Sequence, residues 1–128
     1  MPPAYYKNNT ETGIYNFYKH LILEVPKIRI ILYNFEKLSS FLFTPKFIQT
    51  LVKDFPKNIK GVKDSSYNLY EKLNIKDFLV FPGSEAKLLK GLELGCSGVI
   101  SATTQVTHFL ARDVFDRFTK TEKQIQNE

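Results

Sequence analysis

A single cysteine, Cys96, stands among the 128 residues, so no disulfide within the chain is possible. One thiol and two scattered histidines, His20 and His108, do not make the ligand set of a metal site. No apolar run approaches the roughly 18 residues that span a bilayer. The longest candidates, such as residues 28–35, are interrupted by Arg29 and Asn34. The opening Met-Pro-Pro-Ala-Tyr-Tyr-Lys lacks the basic and then apolar stretches of a secretory signal. Long blocks of like charge are missing too. The net charge of +5 comes from lysines spread from Lys7 to Lys123, whereas nucleic-acid surfaces draw on clustered basic residues. These absences point to a cytoplasmic protein with neither a membrane nor a nucleic acid as partner.

What is present is core material. A 43% hydrophobic and 24% charged composition belongs to a folded globular chain, and eleven Phe with seven Tyr supply bulk for one domain. Apolar residues recur at helical spacing over 11–24 (Ile14, Phe17, Tyr18, Leu21, Ile22), and Pro26 stops that helix. The β-branched run IRIILYN, 28–34, reads as a buried strand. Thr44-Pro45 opens a helix over 45–54, as an N-cap followed by proline at the first helical position. A short strand over 59–63 and a short helix over 67–73 come next. Strand 78–81 ends at Pro82-Gly83, and Ser84 is expected to cap a helix over 85–94 that Gly95 ends. A last strand is expected at 98–101, then a long helix over 104–120 with Phe109, Leu110, Val114, Phe115 and Phe118 facing inward.

One helix followed by four strand–helix pairs implies parallel strands covered by helices. A closed (β/α)8 barrel takes about 250 residues, so the pattern fits either half of such a barrel or a small open α/β sheet. The Gly-rich GLELGCSG, 91–98, is not a nucleotide loop, because it lacks the lysine-Ser/Thr ending. It reads as a helix stop and a turn into the last strand.

In parallel barrels the chemistry sits at the carboxyl ends of the strands. There the sequence places Tyr33-Asn34, Lys63, Gly83-Ser84-Glu85 and Ala102-Thr103-Thr104. Alternation puts Ile59, Gly61 and Lys63 on one face, with Gly61 expected to leave room beside Lys63. An inward lysine loses solvent, which favours its neutral, nucleophilic form, able to form a Schiff base with a ketone. Tyr33, one strand away, is placed to shuttle the proton. The plainer reading is a solvated boundary lysine and a half-buried packing tyrosine.

The motifs PPAYYK (2–7), ILYN (31–34), GVKDSS (61–66), PGSE (82–85) and GCSGVISAT (95–103) occur in order along the chain. In these it resembles the C-terminal half of the dihydrodipicolinate synthase / N-acetylneuraminate lyase family of class I Schiff-base aldolases. The resemblance implies a partial TIM (β/α)8 barrel over 1–120, with four parallel strands. It implies that 121–128 begins a truncated C-terminal helical extension. It makes Lys63 the Schiff-base lysine and Tyr33 a proton relay. Tyr6 becomes a second relay, reaching across a subunit interface. Ile100, Gly83 and Ser84 become substrate contacts.

The resemblance also implies a 2-oxo acid such as pyruvate as substrate, with no cofactor beyond the covalent link to Lys63. The expected partner is a second copy or a complementing N-terminal half. Two departures stand out. Leu38 lies where the synthases carry an arginine, which favours the lyase and sugar-acid aldolase branches over 4-hydroxy-tetrahydrodipicolinate synthase proper, and Ser40 replaces a usual glycine. The family's first strands and its GTTGE-type loop have no counterpart here. The resemblance therefore implies a fragment that is weak or inactive alone, the other reading being a degenerate, non-enzymatic half-barrel that binds a partner.

Overall fold

The computed structural model describes Pro2 and residues 8–126, with side chains through residue 122. Helix α1 spans Glu11–Glu24, and the Thr10 hydroxyl accepts from the Gly13 amide at 3.1 Å to cap it. Its buried stripe is Ile14, Tyr18 and Ile22, while Phe17 stays partly exposed. Strand β1 (Ile30–Asn34) begins two residues later than the apolar run suggests. After it come the single turn α2 (Glu36–Ser39), α3 (Pro45–Asp54), β2 (Ile59–Asp64) and β3 (Leu79–Pro82). Helix α4 (Leu88–Glu93) and the long α5 (Thr104–Gln126) close the chain. Thr44 caps α3 as expected, accepting from the Phe47 amide at 3.2 Å.

The sheet has three strands in the order β1-β2-β3, all parallel. Register pairs Leu32 with Val62 and Val62 with Val80. These three are buried on the back of the sheet, in a core shared with α1 and α3. Phe41, Phe43 and Phe47 extend that core as an aromatic cluster with ring centroids 5.1–5.9 Å apart. Burying a side chain of this kind is worth about 1.5–3 kcal/mol, so the fold's stability is concentrated behind the sheet.

The fourth strand expected at 98–101 does not form. Residues 97–100 do lie along β3: the Ser97 amide donates to the Val80 carbonyl at 2.9 Å and the Ile100 amide to the Pro82 carbonyl at 3.2 Å. A parallel ladder takes its donors from every second residue. Here three residues separate them, so one extra residue slips the register. Gly98, at φ +142°, lies inside the slip.

Other expectations also change. The helix over 67–73 shrinks to the 3-10 turn Leu69–Glu71. The helix over 85–94 divides into the 3-10 turn Glu85–Lys87 and α4, and the Ser84 side chain makes no capping bond. Ser40 takes the left-handed conformation (φ 51°, ψ 25°) that a glycine would hold without strain, and so keeps the turn after α2.

Helix α5 departs most from expectation. Phe109 and Leu110 are 60% and 55% exposed and Val114 is exposed, although all three were expected inward. Phe115 and Phe118 are half-buried. Periodicity identifies an apolar face but not what covers it, and α5 leans chiefly on α4. The helix bends at Thr107, which leaves helical geometry (φ −105°, ψ 16°) and whose hydroxyl bonds both the Thr103 carbonyl and Glu85 Oε1. It continues past residue 120 to Gln126 without a break. Among the described residues no helix is long and apolar enough to cross a membrane, and no group of three or more His, Cys, Asp or Glu is placed to hold a metal.

Candidate active site

The front of the sheet carries the lysine and tyrosine that the sequence singles out. Register sets Tyr33, Lys63 and Phe81 side by side across β1, β2 and β3. The Lys63 Nζ lies over the Tyr33 ring, 4.3 Å from its centroid. Such a cation–π contact is worth about 0.5–1 kcal/mol at a solvent-accessible site, enough to favour one position of a flexible amine. Both side chains are half-buried, so the lysine is neither a fully solvated boundary residue nor a sealed one. Phe35 packs against Tyr33, ring centroids 5.8 Å apart.

One step below, Ile31, Gly61 and Leu79 share the same face. The expectation that Gly61 opens space for Lys63 is corrected here. A Cβ at Gly61 would run into the Leu79 carbonyl oxygen and lie 2.8 Å from the Leu79 Cβ. The glycine permits close packing of β3 on β2 and leaves no vacancy beside the amine.

The remaining expected residues gather at the same end of the sheet. The Gly83 amide donates to the Asp64 carbonyl at 2.8 Å, which ties the turn after β3 to the end of β2. Ser84 is extended and half-buried. Ile100 is 40% exposed beside the end of β3. Tyr6 lies outside the described residues. A cleft of about 310 Å³ borders Phe81 and is walled by Gly98, His108, Arg112 and Phe115. Lys63 is not part of its wall and stands on an open face.

Two residues that strand-end reasoning passed over organise the site from behind. Asn34 and Asp64 are 0% and 3% exposed and are paired in register. Asn34 Nδ2 donates to Asp64 Oδ1 at 2.9 Å, and Asn34 Oδ1 accepts from the Phe43 amide at 3.0 Å. Asp64 Oδ1 also accepts from the Ser66 and Tyr67 amides at 3.2 and 3.3 Å, and Oδ2 from the Leu69 amide at 3.0 Å. A buried polar group left unpaired costs about 1–3 kcal/mol, so this satisfied network fixes the loop that follows Lys63. The available signal was Asp64-Ser65-Ser66 itself, since Asp accepts from amides two and three residues on in turns. Nearby, the Tyr67 hydroxyl donates to the Phe43 carbonyl at 2.7 Å. Burial first, and then the Asp64 carboxylate, raise its pKa above the ordinary tyrosine value.

A parallel, helix-backed sheet with an amine and a phenol side by side at its carboxyl end defines an α/β protein of the kind that makes up part of a barrel. Residues 1–127 match the Dihydrodipicolinate synthetase family, and the chain belongs to it. It is 36% identical over 117 residues to a 2-dehydro-3-deoxy-D-gluconate/2-dehydro-3-deoxy-phosphogluconate aldolase of Picrophilus torridus, with 88% of this chain and 42% of that protein covered. It is 36% identical over 106 residues to a 4-hydroxy-tetrahydrodipicolinate synthase of Thermus thermophilus, with 79% and 35% covered. The crystal structure of dihydrodipicolinate synthase from Agrobacterium tumefaciens superposes with a TM-score of 0.74 at 28% identity, over 86% of this chain and 41% of that one. The chain thus spans about two fifths of the length of these relatives, and its three parallel strands with their helices correspond to part of a TIM barrel.

Proposed function

We infer that this chain carries the lysine-bearing part of a Schiff-base lyase that acts on a 2-oxo acid of the pyruvate type. The observation that carries the reading is the Lys63 amine held over Tyr33 at the carboxyl end of a parallel sheet, in a chain of this family. In the proposed reaction the Lys63 amine adds to the ketone carbon, forming a C–N bond as the carbonyl oxygen takes a proton and becomes a hydroxyl. Loss of water from the carbinolamine leaves an iminium. In cleavage the bond between the carbons alpha and beta to the iminium breaks as the beta hydroxyl loses its proton, its electron pair forming an enamine while an aldehyde leaves; condensation is the reverse, and after protonation of the enamine water releases the 2-oxo acid from Lys63. Tyr33 accepts and returns the proton at the hydroxyl that becomes water, and Tyr6 is a second relay. Ile100, Gly83 and Ser84 contact the substrate beyond the reacting carbon. The covalent link takes the place of a separate cofactor.

Leu38 favours a sugar-acid aldolase. It is exposed on α2 directly after the Tyr33 strand and offers no cation to a second carboxylate. The runner-up is 4-hydroxy-tetrahydrodipicolinate synthase, since relatives of both activities are equally identical to this chain. The open front face, with Ile31 and Leu79 38% and 42% exposed, is where a second copy or an N-terminal half completes the site, so the chain by itself is weakly active. The reading places the work in the cytoplasm, where a lone buried thiol such as Cys96 stays reduced.

The test is borohydride trapping with pyruvate on the 128-residue chain, read by peptide mass spectrometry, with circular dichroism on the same sample. A reduced adduct on Lys63, absent in Lys63→Ala, is the expected result. If the folded chain stays unlabelled both alone and with an added N-terminal half of a relative, the Schiff-base reading is wrong and a partner-binding half-barrel takes its place.

A further inference from the structure

The geometry points to Asn34 and Asp64 as positioning residues that set the Lys63–Tyr33 pair from the opposite face of the sheet. The inference rests on the reading of Lys63 as the reactive amine, and goes beyond it by naming what holds that amine in place. Each residue directly follows a member of the pair: Asn34 follows Tyr33, and Asp64 follows Lys63. In a strand, neighbours in sequence point to opposite faces. The side-chain bond from Asn34 to Asp64, at 2.9 Å on the back, therefore sits one register step beyond the amine–phenol contact on the front.

A slip of one residue in β1 against β2 would break that bond and turn Tyr33 away from Lys63 together. Such a slip is no idle concern, because the register already shifts between Ile30 and Ile31 at the other end of the same pair. Tyr33 and Lys63 themselves supply only a cation–π contact, which tolerates displacement. Apart from the backbone ladder of the sheet, the directional bonds are side-chain bonds behind them. Asp64 holds Asn34, Ser66, Tyr67 and Leu69, while Asn34 holds Phe43, so one buried carboxylate locks β1, β2 and the loop after each of them. The strand end continues this clamp, with the Ser65 amide on the Asn34 carbonyl at 2.8 Å and the Gly83 amide on the Asp64 carbonyl at 2.8 Å.

The experiment reads the pair directly and needs no turnover. The lysines of the full chain are dimethylated with carbon-13 formaldehyde and a hydride donor, and their methyl signals are recorded by NMR, with Lys63 assigned from its absence in Lys63→Arg. Ring current from Tyr33 shifts the Lys63 methyls upfield of the other lysines, and Tyr33→Leu abolishes that offset. Asp64→Asn, which keeps the size of the side chain but cannot satisfy all the same donors, is expected to lose most of the offset while circular dichroism shows a folded protein.

If Asp64→Asn does not fold, Asn34→Ala takes its place, since it leaves Asp64 its three backbone donors. An unchanged offset in a folded variant overturns the inference, as does the lack of any offset in the parent chain. So does failure of both variants to fold, because positioning is then inseparable from folding. Pyruvate trapping on unmethylated portions of the same variants separates the two proposals. An offset that depends on Asp64 in a chain that never traps pyruvate keeps the positioning role and removes the Schiff base.

Discussion

On the back of the sheet Leu32, Val62 and Val80 stand in register and are buried, with Asn34 and Asp64 fully bonded beside them. On the front, one residue along each strand, Ile31 and Leu79 are partly exposed and Tyr33, Lys63 and Phe81 are half-covered. The strands are the same and the composition is similar, so burial separates the faces. Helices α1 and α3 cover one side, while the other is only half-covered, by Phe35 at Tyr33 and by α5 near Phe81. The back face holds the fold together and the front face is left free to carry chemistry.

The sharpest way to test this contrast is to empty the back. Phe43 is fully buried and rings with Phe41 and Phe47. Phe43→Ala is expected to cost about 3–5 kcal/mol in urea unfolding, and a loss below about 1 kcal/mol would mean that stability does not reside there.

A smaller effect of opposite sign is expected at Tyr18. Its hydroxyl is buried with no hydrogen-bond partner among the described residues, and burial raises its pKa well above the ordinary 10.0. Tyr18→Phe removes an unpaired polar group and is expected to stabilise by about 1 kcal/mol. The folded protein keeps this proton longer than the unfolded chain does. The contribution of Tyr18 to stability is therefore intact below pH 10.0 and falls as pH rises above it towards the raised value. Unfolding curves taken across that range should fall less steeply for Tyr18→Phe, with Cys96, which burial pushes up to about 11, and Tyr15, Tyr67 and Tyr70, also raised, contributing to the remaining slope.

The smallest effect belongs to the front. Leu79→Ser, at a side chain already 42% exposed, is expected to change stability by less than about 0.5 kcal/mol. A cost comparable to that at Phe43 would show that the front face is covered in solution, and sedimentation of the same sample would identify a second copy as the cover.

Much of this was readable from residue order. Thr44 caps the helix that its position announces, because its hydroxyl meets a free amide in the first turn, whereas Ser84 at the corresponding place makes no capping bond. The pairing of Tyr33 with Lys63 followed from two strands ending at matching places. The fourth strand was not readable, since GVIS has strand composition while the slip between Ser97 and Ile100 depends on how Gly98 meets β3. Gly61 was misread for a related reason. A glycine signals that something lies close, and only the structure shows it to be Leu79. Asn34 and Asp64 were in plain view inside ILYN and GVKDSS, but a polar residue at a strand end reads as solvated until its burial is known.

The sequence by itself determined three of the strands, the starts of α1, α3 and α5, the family, and the lysine and tyrosine that face one another. These depend on local periodicity, on capping and on motif order, and all three act between near neighbours along the chain. The tertiary structure decided which apolar faces are covered, where the sheet stops, and which buried polar groups hold the amine in register. Those depend on the free energy of removing particular atoms from water against particular partners, and the partners lie about 30 residues apart, as Asn34 and Asp64 do.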